Sequence, residues 1–225
     1  PWRREATSQA PFPPCDACRA EYADPEDRRF HAEPIACPDC GPRLRLREAD
    51  GRAASSPEAL ADPVIAAAAR LAAGAIVAAK GTGGYHLLCD ATDPAAIERL
   101  RARKRRPRKP VAVLFPDLAA IEVECRVSPE ERAALASAAA PIVVLRRREG
   151  GTLPEALAPG LVHLGCMLAH TALQHRLLAA VGSPLVATSG NQSGAPPCLD
   201  EATALRELAG IADTFLEHAR AITVR

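Results

Sequence analysis

The amino-acid sequence predicts a mixed α/β domain of the α+β kind, a twisted sheet with flanking helices, preceded by a small zinc-finger module. Short apolar runs of strand length alternate loosely with segments that carry helix caps. Several connections between them are short, which favours a mixed sheet over a regular doubly wound one. The chain has 225 residues and 48% apolar composition, enough to bury one main core of about 160 residues beside a small appendage.

The overall charge and hydropathy exclude some classes of protein. The formal net charge is +1, which argues against a wholly basic nucleic-acid binder. No stretch of 18 apolar residues and no signal segment occurs, so we expect no membrane partner and a cytoplasmic location. The chain begins at Pro1 without a methionine and ends at Arg225 in a predicted strand. We therefore expect a piece of a longer protein.

The N-terminal part carries two Cys-x-x-Cys pairs. Residues 1–14 are proline-rich and predict a linker, and residues 15–45 form the predicted module with four thiols at the spacing of a tetrahedral zinc site. Such a closed site is structural, and it folds a segment that has almost no core. Redox motifs are the alternative, although those normally occur singly. The predicted metal ligands are Cys15, Cys18, Cys37 and Cys40.

A glycine-rich turn lies near the start of the main domain. Residues 46–61 predict a second linker, and residues 62–225 the domain itself, which opens with a helix capped by Asp62 and ended by Gly74. The apolar runs 75–79 and 85–89 then predict two strands. Glycines between them let backbone N–H groups approach an anion, and a lysine adds a cation. By itself, such a turn is more commonly an ordinary hairpin with a surface lysine, which is the alternative. The candidate residues are Lys80, Gly81, Thr82 and Gly83.

A strongly basic run follows the second predicted helix, which Asp93 caps. Seven of the nine residues from Arg101 to Lys109 are cationic, and the apolar strand 111–115 follows. A charged tail is not normally embedded between a helix and a strand, so we expect either a phosphate-binding rim or an RNA or DNA contact. The rim candidates are Lys104, Arg106 and Lys109.

The remaining elements complete the predicted sheet. Residues 116–125 predict a short helix, Ser128 caps a helix to about residue 139, and the strand 141–145 delivers Arg146. The sequence then predicts a loop at 149–160, a helix at 171–181, a strand at 185–187, a helix at 200–209 and short strands at 214–216 and 221–224. The strand at 185–187 leads into hydroxyl, amide and glycine residues, which form either an ordinary turn or neutral donors for phosphate or carboxylate oxygens. Those candidates are Thr188, Ser189, Asn191 and Ser193.

Taken together, these motifs resemble a known family. Residues 15–43 resemble a zinc finger of the HypF hydrogenase maturation carbamoyltransferases. The stretches 80–90, 104–110, 141–146 and 188–194 resemble the YrdC-like domain that follows it. The resemblance implies a YrdC-like fold and an ATP-dependent, adenylate-forming carbamoyltransferase. Family members carry two fingers after an acylphosphatase domain and a transferase domain after the YrdC-like one, so here we expect one finger and the activation step alone.

The resemblance also implies cofactors, partners and roles. Carbamate, supplied as such or from carbamoyl phosphate, would attack ATP in the presence of Mg²⁺, and structural Zn²⁺ would hold the finger. Lys80, Lys104 and Arg106 would compensate charge at the reacting phosphates. The other candidates above, Arg146 included, would bind the nucleotide, and a HypE-type protein would receive the carbamoyl group from the full enzyme. Two alternatives remain: a threonylcarbamoyl-AMP synthase-like enzyme for tRNA modification, and a zinc-containing module that binds double-stranded RNA through Arg101–Lys109.

Overall fold

The computed structural model describes residues 3–192 and 194–223. Its contacts divide the chain into two units, one of residues up to 44 together with those from 218 onward, and one of residues 45–217. The helices are α1 Asp16–Ala23, α2 Pro57–Ala61, α3 Pro63–Ala72, α4 Pro94–Arg103, α5 Leu118–Glu124, α6 Pro129–Leu135, α7 Ala172–Val181 and α8 Glu201–Leu208. The strands are β1 Leu44–Glu48, β2 Val77–Lys80, β3 Tyr85–Asp90, β4 Ala112–Phe115, β5 Val143–Arg146, β6 His163–Leu168, β7 Leu185–Ser189 and β8 Thr214–His218.

The smaller unit is held together by one buried arginine as well as by its cysteines. The Arg4 guanidinium donates to the backbone carbonyls of Phe12, Glu33 and Ile35, and the Tyr22 hydroxyl donates to the Glu33 carboxylate. Residues 3–14 therefore pack onto the cysteine-bearing segment, where the sequence predicts a linker. A short 3₁₀ turn, Arg4–Ala6, starts that packing.

The larger unit is built on an eight-stranded mixed sheet with the strand order β1-β8-β2-β3-β7-β4-β6-β5. The β2–β3 hairpin is antiparallel, as are the pairs β3–β7, β4–β7 and β5–β6. The pairs β2–β8 and β4–β6 are parallel. The predicted mixed α/β sheet with flanking helices is confirmed.

The two faces of the sheet are covered differently. One face packs Tyr85, Leu87 and Phe215 into a continuous apolar core with the buried side chains of α4, α5 and α8. On the other face α3 and α7 pack together, and α3 also contacts β2 and β3. Because residues directly opposite one another on paired strands share a face, Ala187, Ala112, Gly165 and Val144 form one row across β7, β4, β6 and β5. This row lies beyond the part of the face covered by α3 and α7.

Several predicted elements differ in extent. Residues 46–61, predicted as a linker, contain the end of β1 and the whole of α2. The helix that Ser128 caps ends at Leu135, short of the predicted residue 139, and Ala140, with a positive φ of 45°, lies in the turn that leads to β5. No strand occurs within 219–223, and the remaining residue of the strand predicted at 221–224 lies outside the described residues. Among the helices of the described residues, none has the length and apolar character that crossing a bilayer requires.

Candidate functional site

The four predicted zinc ligands lie together. The Sγ distances are 3.6 Å for Cys15–Cys37, 3.8 Å for Cys37–Cys40 and 3.7 Å for Cys18–Cys40. A tetrahedral zinc ion with Zn–S bonds of about 2.3 Å requires sulfurs about 3.8 Å apart, so the four thiols fit that ion. Backbone groups of Cys37 and Cys15 lower the pKa of Cys40 to about 6, whereas burial raises the pKa of Cys18 to about 12. Outside this cluster, the exposed His31 ring stacks on Tyr22, with the ring centroids 5.2 Å apart.

The glycine turn forms the predicted hairpin between β2 and β3. The Gly81 N–H donates to the Gly84 carbonyl over 2.9 Å, and Gly84 has a φ of 151°, which L side chains rarely adopt. Thr82 and Gly83 form the exposed tip. Lys80, at the end of β2, is only 3% exposed, and its Nζ lies 3.0 Å from the Glu201 carboxylate. The turn thus places a buried cation beside the sheet.

This hairpin is fixed against the loop that follows β7. The Gly190 N–H donates to the Tyr85 carbonyl over 2.6 Å, and the Tyr85 N–H donates to the Cys198 carbonyl over 3.1 Å. A Cβ on Gly190 would lie 2.5 Å from the Tyr85 Cβ. Glycine is therefore required at position 190 for the two segments to approach so closely.

The basic run is largely built into the fold. Arg101 is buried, and its guanidinium donates to the carbonyls of Ala156, Leu157, Arg106 and Lys109. Among the other cations of the run, Arg103 pairs with Asp213 and Lys104 is buried. The exposed cations are Arg105, Arg108 and Lys109. The run is thus mainly part of the folded domain, and fewer than half of its cations are exposed.

Lys104 is bound by neutral oxygen atoms. Its Nζ donates to the Ser189 carbonyl over 2.5 Å, to the Asn191 carbonyl over 2.9 Å and to the Asn191 Oδ1 over 2.8 Å. Within the part of the chain that the structure describes, no carboxylate forms an ion pair with this ammonium. Burial, reinforced by the nearby Arg106 charge, lowers the pKa of Lys104 to about 8. An incoming anion would therefore supply its missing counter-charge.

A cleft of about 470 Å³ opens beside Lys104, on the uncovered part of the sheet face. Its floor is the row of small and apolar side chains on β4 to β7, with Ile142 and Leu161 at its side. Polar groups gather at one end. The Arg106 Nη1 lies 3.4 Å from the Thr188 hydroxyl and its Nη2 donates to the Pro110 carbonyl, while its buried Nε has no partner among the residues that the structure describes. A buried donor without a partner marks a place where a ligand oxygen fits.

The structure brings some of the predicted site residues together and leaves others apart. Four of them line the cleft directly: Arg106, Lys109, Thr188 and Ser189. Lys104 and Asn191 are joined to Ser189 by hydrogen bonds. Lys80 and Arg146 are not among the residues that line this cleft; Arg146 is exposed at the end of β5, opposite His163. Ser193 lies outside the described residues.

Two groups that the sequence reasoning did not identify also contribute. Ile142, Val144, Leu161 and Gly165 shape the cleft, and Glu201 pairs with Lys80. The sequence has no signal for the cleft, because the run 141–145 is apolar throughout and the 64% exposure of Val144 is visible only in the structure. Glu201 lies 121 residues from Lys80 in the sequence, and no local pattern relates the two.

Comparison with known proteins agrees with this geometry. Residues 69–225 match the Sua5/YciO/YrdC family model, whose description is "Telomere recombination". The chain belongs to the Sua5/YciO/YrdC family. Ahead of this Sua5/YciO/YrdC domain, residues 15–47 match the HypF finger. The predicted combination of a HypF-type finger with a YrdC-like domain is therefore confirmed.

Individual relatives place this member of the Sua5/YciO/YrdC family among HypF sequences. The chain is 55% identical over 227 positions to carbamoyltransferase HypF of Rhodobacter capsulatus, covering 100% of the chain and 29% of that relative. A crystal structure of full-length HypF in its phosphate- and nucleotide-bound form has a TM-score of 0.92 at 41% identity, covering 100% of the chain and 29% of that protein. Threonylcarbamoyl-AMP synthase of Chromohalobacter salexigens is 32% identical, covering 73% of the chain and 92% of that enzyme. The chain thus spans about 29% of the length of these HypF relatives.

Proposed function

We propose that this chain forms carbamoyl-adenylate from ATP and carbamate, supplied as such or from carbamoyl phosphate, as the activation segment of a HypF-type carbamoyltransferase. The observation that carries the proposal is the cleft, in which an apolar floor ends at Arg106, Lys109 and two hydroxyls, next to the buried Lys104. A nucleotide needs both parts, an apolar surface for its base and donors for its phosphates. The similarity to carbamoyltransferases named HypF, one of them solved with bound nucleotide, supports the same reaction class.

The proposed step transfers the adenylyl group. A carbamate oxygen attacks the α-phosphorus of ATP, and a new P–O bond forms while the bond from that phosphorus to the oxygen bridging towards the β-phosphorus breaks. Pyrophosphate leaves with the electron pair of the broken bond, and carbamoyl-adenylate remains. Phosphoryl-type transfer of this kind needs little covalent help from the protein and much charge compensation. The protein therefore contributes positioning and positive charge.

The proposed roles follow from where each group lies. The Nε of Arg106, which has no partner within residues 3–192 and 194–223, would bind a phosphate oxygen, and Lys104 would place its charge behind Ser189 and Asn191. The hydroxyls of Thr188 and Ser189 would orient the nucleotide or the carbamate. Lys80 would neutralise a further anionic group, together with the N–H groups of Thr82 and Gly83, whereas the Gly81 N–H already donates to the Gly84 carbonyl. Lys109, Arg146, Asn191 and Ser193 remain proposed nucleotide-binding residues.

We propose that Mg²⁺ binds together with ATP. Among the described residues that line the cleft there is no Asp or Glu. Mg²⁺ usually keeps several waters and binds mainly through phosphates and one or two carboxylates. We therefore derive no protein ligand for this ion. It would enter on the nucleotide, where it supplies charge neutralisation of the phosphates.

The remaining assignments concern the chain as a whole. We propose a boundary between the finger and the nucleotide-binding domain near residue 45, a structural zinc ion on the four cysteines, and a cytoplasmic location. In a full-length enzyme the activated carbamoyl group would pass to a HypE-type partner protein. An RNA contact through Arg101–Lys109 stays a prediction with a smaller basis, because Arg105, Arg108 and Lys109 are the exposed cations of that run.

A second candidate is formation of threonylcarbamoyl-adenylate from ATP, bicarbonate and threonine. The specific observation in its favour is the similarity to threonylcarbamoyl-AMP synthase over 92% of that enzyme's length. The finger is the distinguishing feature, since it matches the HypF finger and lies outside the Sua5/YciO/YrdC match.

Pyrophosphate release from ATP tests the two candidates. The zinc-loaded chain would be mixed with Mg²⁺ and ATP, and then either with freshly prepared carbamate or with threonine and bicarbonate. We expect release with carbamate alone, and a loss of release in Arg106→Ala but not in Arg108→Ala, which removes an exposed cation of the same run. Release that requires threonine would establish the second candidate. Release with neither substrate set, together with salt-sensitive binding of double-stranded RNA, would favour the RNA-binding module.

A further inference from the structure

The segment that carries the cations of the cleft leaves α4 through a left-handed turn. Arg105 has a positive φ of 51°, at a position where helices usually place a glycine after their last turn. The Arg105 N–H donates to the Ala102 carbonyl over 3.1 Å, and the Arg106 N–H donates to the Arg101 carbonyl over 2.9 Å. A side chain at such a φ strains the backbone, so this turn needs support from contacts elsewhere in the fold.

The Arg101 side chain gives that support. Its Nη1 donates to the Arg106 carbonyl and to the Lys109 carbonyl, each over 2.9 Å, so one nitrogen holds both ends of the loop between them. Its Nε donates to the Ala156 carbonyl over 2.6 Å, and its Nη2 donates to the Leu157 carbonyl over 3.0 Å. The loop is thereby fixed to a segment about fifty residues further along the chain.

These contacts of Arg101 include no negative charge. Among the ion pairs of residues 3–192 and 194–223, none involves Arg101. All of its acceptors are neutral carbonyl oxygens. A carboxylate in the same place would repel a phosphate in the cleft. Arg101 therefore supports the loop without weakening the attraction of its cations for an anion.

The loop that Arg101 holds presents two cations to the cleft. Arg106 and Lys109 line the cleft, and their own carbonyls are the two that a single Arg101 nitrogen binds. The buried Nε of Arg106 has no partner in the described part of the chain, so its contact with a ligand depends on where the backbone at residue 106 lies. Binding groups have to be held within about 0.5 Å of their productive positions.

We propose that Arg101 is a positioning residue of the nucleotide site, which acts through the backbone of residues 106–109 and holds Arg106 in place for a phosphate group. The inference rests on the proposed function, since it takes the cleft as the nucleotide site. Arg101 itself would not contact the ligand, because it is 7% exposed and each of its three side-chain nitrogens already donates to a carbonyl. A contact that served stability alone would have no link to Arg106.

Titration calorimetry with ATP and Mg²⁺ on the zinc-loaded chain tests the inference. Arg101→Lys keeps the positive charge, but one ammonium cannot replace a planar guanidinium that reaches two segments, and we expect the Kd for ATP to rise about tenfold. Arg103→Lys is the matched control. It makes the same change on the same helix, at a guanidinium that donates to the Ile211 carbonyl and pairs with Asp213, and its Kd should equal that of the wild-type chain.

A second background separates positioning from a general loss of stability. In Arg106→Ala the group that Arg101 positions is absent, so adding Arg101→Lys should raise the Kd only about threefold or less. General destabilisation would instead weaken binding about tenfold in both backgrounds. Melting temperatures identify variants that have lost the fold. Arg101→Gln keeps the test decisive if Arg101→Lys is one of them, because a neutral amide costs less to bury and should weaken ATP binding in the same way.

The results that support the inference are weaker ATP binding in Arg101→Lys, unchanged binding in Arg103→Lys, and a much smaller effect of Arg101→Lys in the Arg106→Ala background. Wild-type affinity in a folded Arg101→Lys chain, or the same fold-change in both backgrounds, would overturn the inference and leave the proposed function intact. A wild-type chain that binds no ATP would refute the proposed function, and the inference with it.

Discussion

Protonation of Lys104 should control nucleotide affinity in the mildly alkaline range. Burial lowers the pKa of this lysine to about 8 in the ligand-free chain, and its three acceptors are neutral oxygen atoms. A bound phosphate would favour the ammonium and raise the pKa again. Because the ligand prefers the charged form, affinity should fall as pH rises through 8, and binding above that pH should take up a proton.

The size of the effect follows from the fraction of charged lysine. With a pKa of about 8, that fraction falls from about 0.76 at pH 7.5 to about 0.09 at pH 9. The apparent Kd rises in inverse proportion to the competent fraction, so it should increase about eightfold over this range. Proton uptake per ATP bound should rise over the same range from about 0.24 to about 0.9.

Isothermal titration in pairs of buffers with different ionisation enthalpies measures both quantities at constant Mg²⁺. Lys104→Arg is the informative variant, because a guanidinium stays charged over the whole range and the pH dependence should disappear. Lys109→Met removes an exposed ammonium from the same cleft, and it should weaken binding while keeping the pH dependence. An unchanged Kd between pH 7.5 and 9 in the wild-type chain, or equal proton uptake in wild type and Lys104→Arg, would refute the reasoning.

Three further predictions concern the finger, the close contact between the two loops and the cleft. Cys37→Ser should abolish stoichiometric zinc binding and unfold the small unit while the sheet domain keeps its own melting transition; metal analysis that still finds one zinc ion per chain would contradict the four-cysteine site. Gly190→Ala should lower the free energy of unfolding by about 1–3 kcal/mol, because the new Cβ would lie 2.5 Å from the Tyr85 Cβ. Gly210→Ala is the control, since no atom lies within 4 Å of its new Cβ, and urea titration should show almost no change in its stability. Arg106→Ala should weaken ATP binding at least tenfold without changing the zinc content, because it removes a charged donor from a largely desolvated site, and equal ATP affinity would remove this residue from the site.

Local patterns in the sequence were sufficient to predict most of the individual helices and strands. Asp62, Asp93, Ser128 and Thr171 cap helices in the structure by accepting backbone N–H bonds, so the start of each helix could be read from one residue and its neighbours. The glycine hairpin was equally local. Cysteine spacing identified the metal cluster, since four sulfurs at such spacing satisfy one tetrahedral ion.

The boundaries of the elements and the strand β1 were harder to predict from the sequence. β1 is charged and half-exposed, with Leu46 as its one buried residue, and its strand conformation therefore depends on pairing within the sheet. The segment at residues 3–14 has the composition of a linker, yet Arg4 fixes it through carbonyls more than 25 residues away. Neither feature has a local pattern, because each depends on a partner distant in the chain.

In the candidate site, too, local patterns predicted some features and distant contacts decided the others. Its residue types could be recognised in the sequence: a lysine beside glycines, a basic run that contains Pro107 and is followed by Pro110, and hydroxyls after a strand. Only the tertiary structure decided that Arg101 is a buried brace, that Arg106 and Ser189 line one cleft, and that Lys80 faces Glu201 on the other side of the sheet. Side-chain chemistry is a property of each residue, whereas burial, pairing and the strand order that creates them arise from contacts between residues far apart in the chain, and those contacts exist only once the sheet has formed.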